Sequence, residues 1–204
     1  MPPIPQGLAS TVASPSSDDL TLQALLEGLK QPDPEVRTGT WRRAPEVGAP
    51  AVQPLVELMG HENSEIARAA KRGLWHMVRH AGRPGAEEER AALETELDRL
   101  IQVEQAVAVL RELLWMVSEI GTDRSVPTIA ALLSREDTRE DAKMALERIP
   151  GDRSLEALKQ AIQSAPEGSR PSIAHSLRVR GVEVSGYPSK KLQPSKKTEV
   201  QPIP

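Results

Sequence analysis

The chain has 204 residues and no cysteine, so disulfides, thiolate zinc sites and a cysteine nucleophile are excluded. Hydrophobic residues make up 38% and aromatics only 2%, with no Phe, so a core must be filled by Leu, Val, Ile and Ala. That suits helix-on-helix packing better than a β-sandwich. The formal charge of −3 gives no bulk electrostatic case for nucleic acid or a membrane surface.

Residues 1–16 are uncharged and rich in Pro, Ser and Gly, a composition that cannot offset the entropy of ordering and reads as a disordered tail. The stretch lacks Lys, Arg and an unbroken apolar run, so it is not read as a secretory signal. Nothing in the chain approaches the ~20 apolar residues of a membrane span. The expected setting is cytoplasmic.

From residue 17 to 181 the chain repeats. Glycines close units at Gly48, Gly82, Gly121, Gly151 and Gly181, spaced by 34, 39, 30 and 30, and each is expected to end a helix in the left-handed conformation. Helix pairs are expected at roughly 18–30 with 34–47, 49–60 with 63–81, 86–102 with 105–120, 123–134 with 137–149, and 152–164 with 168–180. The first helices carry one apolar stripe each, as in Leu22, Leu25, Leu26 and Leu29, or Val52, Leu55, Val56 and Met59. Later stripes are Val107, Leu110, Leu114 and Val117, then Ala142, Ala145, Leu146 and Ile149. Asp33 is an expected N-cap with Pro34 at the first helical position, and Asn63 is a second cap. Pro45 should shorten or fray the helix that contains it. Residues 182–204 carry four lysines against two glutamates and read as a flexible basic tail, with Val182, Val184 and Tyr187 placed to cover the last repeat.

The stretches PDPEVR…VGAPAVQPLVELM, SEIARAAKRGLWHM and IGTDRSVPTIAALLS resemble HEAT repeats, in the subgroup named for phycobilisome-lyase-like repeats. The resemblance covers about residues 18–181. The third unit departs by inserting a longer acidic helix, GRPGAEEERAALETELDRL, and the first departs at Arg43 and Ala44, where small then large apolar residues are usual. The resemblance implies an all-α fold, a right-handed α-solenoid of about five HEAT-like helix pairs. It implies use as a binding surface and no activity.

Each candidate site has a simpler role beside it. His76 and His80 stand at i and i+4, the spacing of two ligands to one metal, but no third ligand is near in sequence. The simpler reading is two histidines near a helix C-terminus, where positive charge is favoured. His61-Glu62 is a single His-Glu pair, whereas HEAT-like iron hydroxylases use several, so that carry-over fails. HEAT-like DNA glycosylases would need a basic groove with aromatics, which this composition does not supply.

On a wheel of about 100° per residue, Ile66, Ala70, Gly73 and Met77 face the core, while Arg68, Arg72, Trp75 and Arg79 fall on the other side. A Trp among three Arg is either an interaction hot spot or a solvated face with guanidinium stacked on indole. Trp41 and Trp115 lie on wheel boundaries and are expected to be partly buried, extending the patch or packing between repeats. The second helices together carry 14 basic and 12 acidic residues, and the rest of 18–181 carries 8 and 15. A mildly basic second-helix face favours an acidic partner.

The sequence therefore reads as a non-catalytic scaffold that binds a protein or peptide on its concave second-helix face, with no cofactor and no metal. Two alternatives stand beside it. One is a HEAT-like enzyme or enzyme subunit (bilin lyase, metal hydroxylase or DNA glycosylase-like). The other is a self-assembling repeat protein.

Overall fold

A computed structural model describes residues 20–188, and every regular element among them is a helix. The expected tail 1–16 and all of 182–204 beyond residue 188 lie outside the described residues. No helix among those described is long and apolar enough to cross a membrane. The chain divides into two compact units, the first ending at His80 and the second beginning at Ala81.

The first unit contains α1 (Leu22–Leu29), α2 (Pro34–Arg42), the short α3 (Ala44–Val47), a 3-10 turn at Ala49–Ala51, α4 (Val52–Met59) and α5 (Ser64–Ala81), whose last residue passes the boundary. Local chemistry sets these limits. Thr21 caps α1 by accepting from the Ala24 N–H at 3.1 Å. Asp33 caps α2 by accepting from the Glu35 N–H at 2.8 Å, with Pro34 in the first turn. Asn63 does the same for the Glu65 N–H at 2.9 Å. Pro45 divides the expected 34–47 helix in two, with the break at Arg43, because its ring cannot follow an uninterrupted turn. Arg43, out of pattern for the repeat, is exposed and forks onto Glu46, while Ala44 is fully buried. α1 and α2 pack closely enough that a side chain at Gly28 would overlap Thr40, whose Cγ2 lies 2.7 Å from the position of an added Cβ.

The second unit contains α6 (Glu87–Ile101), α7 (Val107–Ile120), α8 (Val126–Ala131) extended by a 3-10 turn to Ser134, α9 (Arg139–Arg148), α10 (Asp152–Ser164) and α11 (Arg170–Val179). α6 pairs with α7, α8 with α9 and α10 with α11. Each pair also stacks on the next. α6, α8 and α10 touch in that order, and so do α7, α9 and α11, which gives two parallel layers of helices. This translational stacking is the solenoid arrangement, in which each pair buries its apolar stripe against its neighbours. The apolar stripes supply the core: Leu110, Leu114, Val117, Ala142, Ala145 and Leu146, named from the sequence, are buried, and so are Leu93, Leu97, Ile129 and Leu158 of the first helices.

A recurring arginine explains part of the repeat pattern. Arg37 of PDPEVR donates to the carbonyls of Gln31 and Pro32 at 2.7 Å each. Arg139 reaches the carbonyls of Leu133 at 2.8 Å and Ser134 at 3.1 Å, and Arg170 reaches Ala165 at 2.9 Å. Each ties the start of a second helix to the end of the first, where carbonyls lack intrahelical partners.

The glycine expectation is corrected at two of five positions. Gly48, Gly151 and Gly181 have positive φ, but Gly82 does not, its place being taken by Gly85. Gly121 has φ −63° and ψ 152°, ordinary extended backbone. Its glycine is required for closeness instead: an added Cβ would stand 2.5 Å from the Val117 carbonyl oxygen and 3.0 Å from Ile149 Cδ1.

The acidic insertion of the third unit is also more than a solvated face. Glu94 is 1% exposed. Its Oε1 accepts from the Thr122 N–H and hydroxyl, both at 2.7 Å, and from the Ser125 hydroxyl at 2.8 Å. Ser125 Oγ also lies 2.9 Å from Asp98 Oδ2, one turn along α6. A hydroxyl has one proton, so it cannot donate to both carboxylates. Burial, reinforced by the charge of Glu94 and only partly opposed by Ser125 and Arg124, pushes the Asp98 carboxyl up to about 6. Protonated Asp98 can donate to Ser125, which then donates to Glu94.

Because the folded-state pKa lies above the ordinary carboxylate value, the folded chain holds a proton that the unfolded chain has lost between pH ~4 and ~6. The resulting stabilisation is complete below about pH 4 and disappears as pH rises through 6. Asp98 is only half-buried, so solvent screening limits the effect to about 1 kcal/mol. Asp98→Asn should leave the melting temperature unchanged at pH 4 and raise it by ~2–4 °C at pH 7.5. Parallel thermal melts across that range check this, and a variant effect independent of pH would contradict it.

Candidate functional site

The predicted patch is assembled within the first unit by α2 and α5. Gly73 on α5 faces Trp41 and Ala44, and an added Cβ would sit 3.5 Å from the Cβ of each. That closeness brings the last turn of α2 against the middle of α5. The Trp41 and His76 rings meet edge to face, with centroids 5.8 Å apart and planes at 85°. The Arg42 guanidinium lies 5.6 Å from the Trp41 centroid, and that of Arg79 lies 5.4 Å from the Trp75 centroid, both within range of cation–π attraction.

Between these groups is a hollow of about 520 Å³. α2 contributes Trp41 and Arg42 to its wall. α5 contributes Lys71, Arg72, Trp75, His76 and Arg79. Residues 20–80 contain eight basic and seven acidic side chains. Four of the eight cations line the hollow and none of the seven carboxylates does. Several other arginines of the unit are ion-paired: Arg37 and Arg68 with Glu65, and Arg43 with Glu46. Three wall cations, Arg42, Arg72 and Arg79, have no carboxylate partner among the described residues and are set around two indoles. Behind the wall, the Trp41 indole N–H is buried without an acceptor among the described residues. A buried donor left unmatched costs about 1–3 kcal/mol, so its presence beside a cationic hollow calls for a reason.

The predicted residues separate as follows. Trp75, Arg72, Arg79 and Trp41 come together. Arg68 is exposed and pairs with Glu65, outside the lining. Trp75 is half-buried, less exposed than its place on the wheel implies. The core side of the wheel is as expected, with Ile66, Ala70 and Met77 buried, and Leu74 and Val78 widen it. Trp41 is half-buried as expected, but Trp115 is 43% exposed. It lies on α7 of the second unit, its indole N–H donating to Asp141 Oδ1 at 3.1 Å. It is exposed because Asp141, also 3.2 Å from Arg111, holds the ring at the surface through its polar edge.

Arg42, Lys71 and His76 are wall residues that the sequence reading did not assign to the patch. One signal pointed to α2: Trp41 and Trp75 both stand seven residues before their unit-closing glycines, and Trp115 stands six before its own. The histidines singled out for metal spacing have other surroundings. His76 packs on Trp41, His80 is exposed at the end of α5, and His61 Nδ1 accepts from the Asn63 N–H at 3.0 Å. Among the described residues no three His, Cys, Asp or Glu side chains gather as a metal-holding group.

No family model matches the chain, and no curated protein matches it. Solved structures similar to it include designed armadillo repeat proteins and an engineered protein. A computationally designed armadillo repeat protein for modular peptide recognition is 16% identical over 78% of this chain and 81% of that one, with a TM-score of 0.43. A designed armadillo repeat protein in complex with the peptide (KR)4 is also 16% identical, with the same coverage and a TM-score of 0.42. An engineered protein is 17% identical over 78% of this chain and 79% of that one, at 0.41. At these TM-scores the likeness carries no argument about chain path or ligand.

Proposed function

We propose that this chain is a non-catalytic, cytoplasmic scaffold of HEAT-repeat type that binds a segment of another protein on the α2–α5 face of its first unit. The sequence pattern favours the phycobilisome-lyase-like subgroup of such repeats. The observation that carries the reading is the wall of the hollow, where two indoles and four cations converge without a carboxylate. Trp and Arg are the residue types that dominate binding energy at protein interfaces, because each joins large contact area to directional polar recognition. A catalytic reading finds less support in the same wall, which holds no carboxylate to act as a base and whose imidazole is packed edge-on against Trp41.

Trp75→Ala should reduce binding by at least tenfold and change the melting temperature by no more than ~3 °C, since the side chain is only half-buried. Selection of a random peptide display library on wild type and on this variant measures the first effect. Wild type should enrich a sequence family that the variant does not retain. Failure of wild type to enrich any family, or equal enrichment by both proteins, would reject the reading.

A further inference from the structure

We infer that the hollow between α2 and α5 is a carboxylate subsite: it takes the Glu or Asp side chains of an acidic peptide segment, the acid on Arg72 and Arg79 and the adjoining apolar surface on the indoles of Trp41 and Trp75. The inference rests on the binding reading above and names the chemistry of the partner.

Charge segregation is the first support. A unit with nearly balanced charge places half its cations, and none of its acids, around one concavity. Arg42, Arg72 and Arg79 have no carboxylate partner among the described residues. Arg42 and Arg79 lie over indole faces, so their guanidinium edges remain open to an incoming acceptor. Arg72 is exposed and free to turn toward the hollow. A planar guanidinium pairs with a carboxylate through two parallel hydrogen bonds, and two arginines about two turns apart on α5 can take acids from one extended segment.

The second support is the buried Trp41 N–H, a donor without an acceptor among the described residues, which a ligand oxygen would reach only if the indole turned from its enclosed position. The chain's own C-terminal stretch does not suit the site, since Lys190, Lys191, Lys196 and Lys197 would be repelled. A nucleic acid backbone would also supply anions, but three unpaired arginines around one hollow match a short acidic segment better than a long phosphate track.

The test uses a blocked ten-residue peptide alternating Glu with Leu, its counterpart with Gln in place of Glu, and a dT20 oligonucleotide. Binding is read by tryptophan fluorescence in full-length protein carrying Trp115→Phe, which removes the signal of the second unit. The Glu peptide should bind at least ten times more tightly than the Gln peptide and weaken about tenfold between 0.05 and 0.5 M NaCl. The double variant Arg72→Gln, Arg79→Gln should lose about tenfold for the Glu peptide with unchanged circular dichroism, both residues being exposed. Equal binding of the two peptides, full affinity in the double variant, or tighter binding of the oligonucleotide would overturn the carboxylate subsite. The library selection fails separately: enrichment of neutral sequences that Trp75→Ala abolishes would leave the binding function standing and remove only its acidic specificity.

Discussion

Replacing Glu94 with Ala should destabilise the second unit by about 3–4 kcal/mol, the value expected when one buried acceptor is removed from several donors at once. Oε1 of Glu94 is the shared acceptor of a backbone N–H and two hydroxyls from the turn that leads into α8. Without it the Thr122 and Ser125 groups lose their partner inside the fold, and the removed side chain leaves a gap between α6 and that turn. The melting temperature should fall by ~6–15 °C. Glu94→Gln separates acceptor from charge. Its amide oxygen can occupy the Oε1 position, so the loss should stay within about 1 kcal/mol. Differential scanning calorimetry of both variants decides this, and a Gln variant as unstable as the Ala variant would show that charge, not acceptor geometry, holds the turn.

Arg180→Ala should cost about 2–3 kcal/mol and ~4–10 °C of melting temperature. This guanidinium closes the C-terminal end of α9. Nη1 stands 3.1 Å from the Leu146 carbonyl, 3.3 Å from that of Glu147, 2.9 Å from that of Ile149 and 3.1 Å from Ser154 Oγ. Nη2 donates to the Gly151 carbonyl at 2.8 Å. Two hydrogens on Nη1 serve four acceptors, so these are shared bonds and their sum is less than four separate ones. The positive charge also sits at the negative end of the helix dipole. Arg180→Lys should recover less than half of the loss, because an ammonium supplies the charge but not the fork that spans α9 and the following turn. Hydrogen exchange should localise the Ala effect to α9 and α11. A Lys variant as stable as wild type would reduce the interaction to simple charge.

Helix positions were legible because they rest on local chemistry. The apolar spacing of Leu25 and Leu29, the caps at Asp33 and Asn63, and the interruption at Pro45 are short-range effects, and each falls where the sequence places it. The stacking of pairs was legible for a related reason: similar stripes repeated at near-constant spacing have only each other to bury against. The candidate site was half legible. Its outward Arg and Trp on α5 follow from helical phase alone, but the share from α2 does not, since Trp41 and Arg42 meet α5 across a contact some 30 residues away in the chain.

What the sequence determined by itself, then, was the helical character of the described residues, the order of the helices with their approximate limits, and the cationic ridge of α5. Tertiary structure alone decided which polar groups are enclosed. It turned Glu94 from one acid among many into a buried acceptor, made Arg180 the closing group of α9, and gave Trp41 a donor without a partner. The physical reason is that periodicity reports which way a side chain points along its own helix. Whether a charged or polar atom is then satisfied depends on what distant backbone arrives beside it.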